Sequence, residues 1–462
     1  MARAEVPADG LLLIGQPGLQ WTGEEGSLSD LQQYLQRLEI SGLIRLLQDS
    51  PELEYLFRHA LTHEAAYASL TRRQRLSLHG AIGDIVEALY PERRDELADL
   101  LAYHYGAAGE WERAAHYAQA AARRALATYA YDEAALHLQR ALDVVGEAGP
   151  PSARLALHES LGDVHALLHQ GPRAIESYQR ALEAWQVSQG ADNADAIRLH
   201  RKVVQTGAET KYAVGREGFR LLSHAMRASE DSLALTLERI RAAPPHPESV
   251  RLLAVLSTAA WRMRSPPDWG AARTYAEDAV RMAEAMDAPV EHSAALEALS
   301  TATFGLGLLH ESLEASRRRL DLVRQTGFQD EREILDALRG AGCAWTYLGE
   351  YERALPLLLE AEHMANRVQA VDQMFNALAL LTLCWLRLDR WEEIRSRKEV
   401  WQDLESRYPQ ERTGPLCWPM GLRAVVETLS GDTDSGSRLR ERSFEIMVNT
   451  FGPADWLRNA HY

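Results

Sequence analysis

The stretch Leu161-Gly162-Asp163-Val164-His165, followed by Gly171-Pro172-Arg173-Ala174-Ile175-Glu176-Ser177-Tyr178-Gln179-Arg180-Ala181-Leu182, decides how this chain folds. Small residues stand at Gly162, Ala174 and Ala181, at spacings of 12 and 7. The apolar positions around them recur with helical period, and Gly171-Pro172 interrupts and restarts it. Helices joined by so short a turn must lie antiparallel. The same 12 and 7 return at Gly342, Ala354 and Ala361, and at Ala260, Ala272 and Ala279. Ser300 with Ser312 and Thr382 with Ile394 keep the first interval. The leading positions 260, 300, 342 and 382 lie 40, 42 and 40 residues apart, which is internal repetition.

These spacings resemble the tetratricopeptide repeat, in which small side chains let paired helices approach closely. The standard unit is about 34 residues, so each helix here is predicted to be about one turn longer, or the linking turns are. An aromatic precedes the second small position by three residues at Trp111, Tyr131, Trp269, Tyr351 and Trp391. Such a ring gains nothing in an open turn and is expected to plug the gap between stacked hairpins. Leu97, Leu100, Leu101, His104 and Tyr105 form one helical stripe, and amphipathic segments open at Trp111 and Tyr131. No single pair buries its own stripe, so the predicted fold is all-α: a right-handed, tetratricopeptide-like α-solenoid of antiparallel helix pairs.

The first sixty residues read differently. Leu31, Tyr34, Leu35 and Leu38 make a short amphipathic helix. Leu43 to Leu47, a turn at Asp49-Ser50-Pro51 and the alternating Leu53, Tyr55 and Phe57 then predict two strands. Helix followed by a two-stranded wing is the end of a winged-helix domain, a partial remnant whose opening helices the Gly- and Pro-bearing first twenty-six residues would replace. The expected organisation is a partial winged-helix segment over 1–70, a first repeat sub-array over 71–190, an irregular helical connection over 191–248, a second sub-array over 249–430 and a partial repeat over 431–462. Breaks at Gly190-Ala191-Asp192-Asn193, at Gly215 and Gly218 and at Pro244-Pro245-His246-Pro247 define the connection. The repeat signature fades after Gly414-Pro415.

Composition narrows the function classes. In 462 residues, 66 acids face 50 bases, a formal charge of −16. That balance argues against direct nucleic-acid binding, which needs phosphates neutralised. Cys343, Cys384 and Cys417 are too far apart for a zinc or redox motif and too odd in number for a disulfide framework, so a reducing compartment is expected. Leu11-Leu12-Leu13-Ile14 follows Glu5 and Asp9 and is too short for a signal sequence. Ala377 to Leu386, the longest near-apolar run, covers about half a membrane span. A cytoplasmic location away from the membrane follows as the expectation.

Two runs carry a more specific resemblance. One is Glu54-Tyr55-Leu56-Phe57-Arg58-His59-Ala60-Leu61-Thr62-His63-Glu64-Ala65-Ala66-Tyr67, continuing to Arg75-Leu76-Ser77-Leu78-His79. The other is Leu101-Ala102-Tyr103-His104-Tyr105-Gly106-Ala107-Ala108-Gly109, then Ala114-Ala115-His116-Tyr117. They resemble the junction between ATPase module and helical repeats in bacterial signal-transducing ATPases of the STAND type, many of them linked to an adenylate cyclase domain. Related proteins include maltotriose-type transcription activators. The resemblance covers about residues 40–185 and implies repeats that sense a ligand or partner. The departure is large: a Walker A motif needs its lysine, and the first of the lysines Lys202, Lys211 and Lys398 lies deep in the repeats. Gly15-Gln16-Pro17-Gly18 reads as a loop. What remains resembles the sensor half of the family, as a separate gene product or a truncated reading frame.

Candidate sites are weighed on that basis. His59 and His63 have metal-ligand spacing with Glu64 beside them but lack an adjacent third ligand, and read as packing. Arg72-Arg73-Gln74-Arg75 and Arg317-Arg318-Arg319 read as solvated helix faces, and Asp432, Asp434 and Gly436 as a turn. The sixteen histidines are scattered, and those on apolar stripes, His104 and His165, read as hydrogen-bonded core residues. No nucleophile, base and oxyanion set is identified, so neither catalysis, cofactor nor metal is expected. If the first helix of each pair lines a groove, Trp261, Arg264, Glu297, Thr301, Phe304, Asp336, Arg339, Tyr347, Asn376 and Arg387 face into it. Aromatics among arginines and acids suit a protein or peptide partner, including a separate NTPase or cyclase module. The alternative is a small-ligand regulator answering to a sugar or peptide in a transcription-activator system.

Overall fold

The structure, a computed structural model, describes residues 11–14, 28–48, 53–147, 149–188, 193–210, 230–264, 266–325, 328, 330–397, 399–401, 403 and 417–459. The turn at Asp49-Ser50-Pro51, the loop at Gly15-Gln16-Pro17-Gly18, the break at Gly190-Ala191-Asp192, the positions Gly215 and Gly218, and Gly414-Pro415 lie outside the described residues. The chain is all-α and tetratricopeptide-like, apart from one small sheet, and divides into two compact units, Met1–Ser160 and Leu161–Tyr462.

The first unit begins with strand β1 (Leu11–Ile14), helix α1 (Leu28–Ile40) and strands β2 (Ile44–Gln48) and β3 (Leu53–Phe57). The sheet is antiparallel in the order β1-β3-β2, with Ile44 opposite Phe57, Leu46 opposite Tyr55 and Leu11 opposite Leu56. The two expected strands therefore pair, and the run Leu11–Ile14 adds a third to them. Their core is slight: Leu35, Ile44 and Tyr55 are buried with Phe57 against them. Tyr34 and Leu38, expected on the same stripe as Leu35, stay 63% and 40% exposed, because the hairpin covers only one line along α1.

Helices α2 (Ala60–Ser69), α3 (Arg72–Leu89), α4 (Ala98–Ala108), α5 (Trp111–Ala127) and α6 (Tyr131–Val145) follow. Thr71 starts α3 with a reciprocal capping box to Gln74. Leu101 and Tyr105 of the predicted stripe are fully buried against Val86, Ala114 and Tyr117. The Tyr105 hydroxyl donates to Glu87 Oε2 at 2.6 Å, and Arg113 lies over the Tyr105 ring and pairs with Asp84 and Glu87. Hydrogen bonds from Tyr105, Tyr117 and Arg113 outweigh burial and hold the Glu87 carboxyl at about 2. His63 packs between Phe57 and Tyr67. The Tyr67 hydroxyl meets His79 Nε2 at 3.0 Å, and His79 Nδ1 meets His104 Nδ1 at 2.9 Å. Burial, then the neighbouring His79, pushes His104 down to about 4, so this pair is neutral at neutral pH.

Helix α7 (Pro151–Leu167) carries the chain into the second unit, which continues with α8 (Gly171–Val187), α9 (Asn193–Thr210), α10 (Glu230–Ala242), α11 (Pro247–Arg262), α12 (Trp269–Glu284), α13 (Pro289–Gly305), α14 (Leu309–Gln325), α15 (Glu331–Tyr347), α16 (Tyr351–Arg367), α17 (Val371–Arg387), α18 (Trp391–Ser396), α19 (Cys417–Leu429) and α20 (Thr433–Asn459). From α13 to α17 every helix has 17 residues, so the long period comes from extended helices joined by short turns such as 306–308 and 348–350. One turn recurs. An N–H bonds six-to-one back to the helix, as from Glu350 to Trp345 at 2.9 Å, Ala370 to Ala365 at 3.0 Å and Arg390 to Trp385 at 2.9 Å. The residue before it takes positive φ: glycine at Gly307 and Gly349, but Gln369 and Asp389 elsewhere.

The small residues work as their spacing predicts. Ser300 Oγ reaches Ser312 Oγ at 3.1 Å and Ser316 Oγ at 2.6 Å, and Ala260 packs on Ala272 and Ala302. A Cβ on Gly162 would meet the Tyr178 ring at 2.4 Å, and one on Gly342 would meet Leu358 at 2.6 Å. Trp269 stacks on Trp261 at 5.2 Å, and a Cβ on Gly305 would meet its ring at 2.2 Å. The tryptophan therefore fills the space between its own pair and the next first helix.

Gly305→Ala gains about 1 kcal/mol of helix propensity but must displace a ring pinned by stacking, at about 1–3 kcal/mol of overpacking. Its net effect should be destabilising. Gly340→Ala on α15 meets no atom within 4 Å and keeps the gain. Urea midpoints should move in opposite directions for these two substitutions.

Candidate functional site

The first three turns of α13 and α15 collect charge around a side chain from the helix between them. Arg319, on the second helix α14, reaches between α13 and α15 with only 5% of its side chain exposed. Its Nη1 donates to Asp336 Oδ2 and its Nη2 to Glu333 Oε1, both at 2.8 Å, and its Nε to Ser293 Oγ at 3.1 Å. Glu297 stands further off, 3.5 Å from Nη2. Asp336 accepts a second guanidinium, Arg339 Nη2, at 2.6 Å. A charge so far from water is stable only if its donors are met, and here the N–H groups fan out to acceptors on both neighbouring helices.

The electrostatics follow from this packing. Burial raises the Asp336 carboxyl, but Arg339 and Arg319 outweigh it and hold the group at about 2. Burial raises Glu297 as well; Asp336 and Glu333 add to the rise and the two arginines only oppose it. Glu297 nevertheless keeps 51% of its side chain in contact with water. Its carboxylate is thus crowded by protein on one side and open to water on the other. Burial opposes the charge on Arg339, yet Asp336 holds it protonated. Its Nε is buried without a hydrogen-bond partner. Further along the same helices Phe304 and Tyr347 meet edge to face at 4.9 Å, with Tyr347 37% exposed.

Of the residues expected to face a groove, the structure thus gathers Glu297, Asp336 and Arg339 through Arg319, and Phe304 with Tyr347. Thr301 and Asn376 are half-buried on α13 and α17, and Arg387 is exposed at the end of α17. Trp261 packs on Trp269 instead, and Arg264 lies on the turn after α11, paired with Asp268 at 2.8 Å. One reading needs correction. In Arg317-Arg318-Arg319 the first two are exposed, as on a solvated face, but Arg319 is the buried hub. Its position, three residues beyond the small Ser316, was a signal that it sits beside the seam between helices. Elsewhere on the first helices, Arg251 joins Glu248 of α11 to the buried Glu291 of α13. Cys343 and Cys384 are free thiols near one another, and burial raises both. Asp432 caps α20 by accepting from Ser435 N at 3.0 Å. Among the described residues no group of histidine, cysteine and carboxylates could hold a metal ion, and no helix is long and apolar enough to cross a membrane.

No protein-family model matches the chain, nor does any curated protein. Among solved structures, the apo form of RapI is 11% identical, with a TM-score of 0.49 over 72% of this chain and 86% of its own. A signal-transduction ATPase (STAND) with a tetratricopeptide repeat sensor from Pyrococcus horikoshii is 12% identical, with a TM-score of 0.48 over 92% of this chain and 59% of its own. The apo quorum sensor NprR from B. thuringiensis is 13% identical, with a TM-score of 0.46 over 73% of this chain and 88% of its own. At such distance the likeness says nothing of what this chain binds.

Asp336→Asn leaves two arginines facing a neutral partner and should cost about 3 kcal/mol of unfolding free energy. The sign with pH is fixed: a depressed carboxyl contributes stability above its unfolded value near 3.8 and loses it as pH falls toward about 2. Urea unfolding between pH 6 and pH 3 should show the native chain converging on the variant as acid is added.

Proposed function

We propose that the second unit is a non-catalytic docking platform, holding a protein or peptide segment on its first-helix face. Its place would be the sensor and interaction half of a bacterial signalling ATPase system, with a separate NTPase or cyclase module as its counterpart. The observation that supports docking is bonding capacity left over on that face. Glu297 comes no nearer than 3.5 Å to Arg319, Arg339 keeps an unmet donor, and the Phe304–Tyr347 pair exposes an aromatic edge. The seams between paired helices are closed by small residues and aliphatic side chains, while Phe304 and Tyr347 meet across α13 and α15 on this face. The family link is supported by the resemblance of the runs at 54–79 and 101–117, in which Tyr67, His79 and His104 form one hydrogen-bonded chain in the first unit.

Docking can be tested before any partner is identified. Random heptapeptides displayed on phage are selected against the full chain, and recovered sequences are titrated as synthetic peptides. Arg339→Ala and Tyr347→Ala should each weaken them by about tenfold or more, as truncated anchors do. Peptides indifferent to both substitutions would count against docking on this face.

A further inference from the structure

We infer that the docked segment carries a basic side chain, lysine or arginine, about three residues from an aromatic or branched aliphatic one. This rests on the docking role proposed above and adds the chemistry of the ligand.

The first ground is a charge balance. Glu297, Glu333 and Asp336 gather around only two guanidiniums, Arg319 and Arg339. Arg319 is committed to Glu333 and Asp336 at 2.8 Å, and Arg339 to Asp336 at 2.6 Å. The acid with the longest ion pair is therefore Glu297, 3.5 Å from Arg319 and the most open member of the group. Neighbouring elements do not correct it. Arg251 on α11 is taken by Glu248 and Glu291, and Arg201 on α9 by Glu248. On the α17 side the corresponding positions are the neutral Gln373 and Asn376. An ammonium or guanidinium from outside would complete the group, in a partly desolvated place where opposite charges attract more strongly than on an open surface.

The second ground is independent of charge. Arg339 Nε is a buried donor with no acceptor, a rare condition in a folded protein. A bare cation leaves it unmet, whereas a peptide carbonyl meets it once the guanidinium, already 26% exposed, turns outward. The third ground sets the spacing. Phe304 and Tyr347 lie seven and eight residues beyond Glu297 and Arg339 on the same helices, or about 11 Å along the axis. An extended peptide covers that distance in about three residues.

The experiment uses the full chain and a set of acetylated, amidated hexapeptides. Each holds one lysine and one tryptophan separated by one to four positions, with matched versions replacing lysine by norleucine or glutamate. Fluorescence anisotropy gives the affinities. The lysine peptide of three-residue spacing should bind about tenfold tighter than its norleucine twin, with the glutamate version weakest. Glu297→Gln, nearly isosteric and confirmed folded by its circular dichroism melt, should erase the lysine advantage, whereas Arg339→Ala should weaken every peptide alike. Equal binding of lysine and norleucine peptides, or preference for glutamate, overturns the inference. If that equality comes with sensitivity to Arg339→Ala and Tyr347→Ala, docking itself survives. Failure of every peptide to bind below millimolar concentration sinks both.

Discussion

The buried guanidinium of Arg319 is the constraint on which the middle of the second unit depends. It comes from a second helix and finds its acceptors on the first helices to either side, so α13, α14 and α15 are held in one arrangement. Removing such a charge from water costs several kcal/mol, repaid only where every N–H is met at good geometry. The arginine also makes the acids possible. Glu333 and Asp336 lie one helical turn apart on α15, where like charges repel, and a shared guanidinium turns that repulsion into a bridge. Glu297 is left over by the same geometry: it stands at the far side of a donor already committed elsewhere.

Such a cluster can exist because the repeat closes its seams without it. Gly162, Gly342 and Gly305 take the flank of a larger side chain from the paired or preceding helix, and alanines and serines do the same elsewhere. The six-to-one turn then reverses the chain in few residues, and the fold holds it even where Gln369 and Asp389 must adopt positive φ, at about 1 kcal/mol each. Backbone turns and small-residue packing close the seams, and the Arg319 cluster ties α13, α14 and α15 together across them.

The repeat was legible in the sequence because it rests on spacing. Small residues 12 apart come to lie face to face across a hairpin, so Ser300–Ser312 and Ala260–Ala272 are read directly from the residues. The hairpin β2–β3 was legible from its alternation at Leu53, Tyr55 and Phe57. Strand β1 was not: four apolar residues carry no pairing signal, and its partner lies some forty positions later. The register of the first helices put Glu297, Asp336 and Arg339 on one face, and Arg319 joins them there. Trp261, beside a seam, has a stacking partner in Trp269, and Arg264 lies beyond the end of α11. Arg319 was hidden by its company. Two exposed arginines precede it, and three in a row look alike until helical phase separates them.

Phase also decides whether the charges on this face are demanded by the fold. Counted back from the small positions 260, 300, 342 and 382, Glu297 on α13 corresponds to Ser257 on α11, Arg339 on α15 and Ala379 on α17. One position thus accepts serine, glutamate, arginine and a fully buried alanine. Asp336 corresponds to Ala254, Ala294 and Asn376 in the same way. The scaffold tolerates apolar residues at both positions, and replacing buried ionic groups by well-packed apolar ones is often neutral or stabilising. Glu297 with its raised carboxyl and Arg339 with its idle donor are therefore costs the packing did not require. Departures from local consistency of this kind are what a docking site on this face would account for.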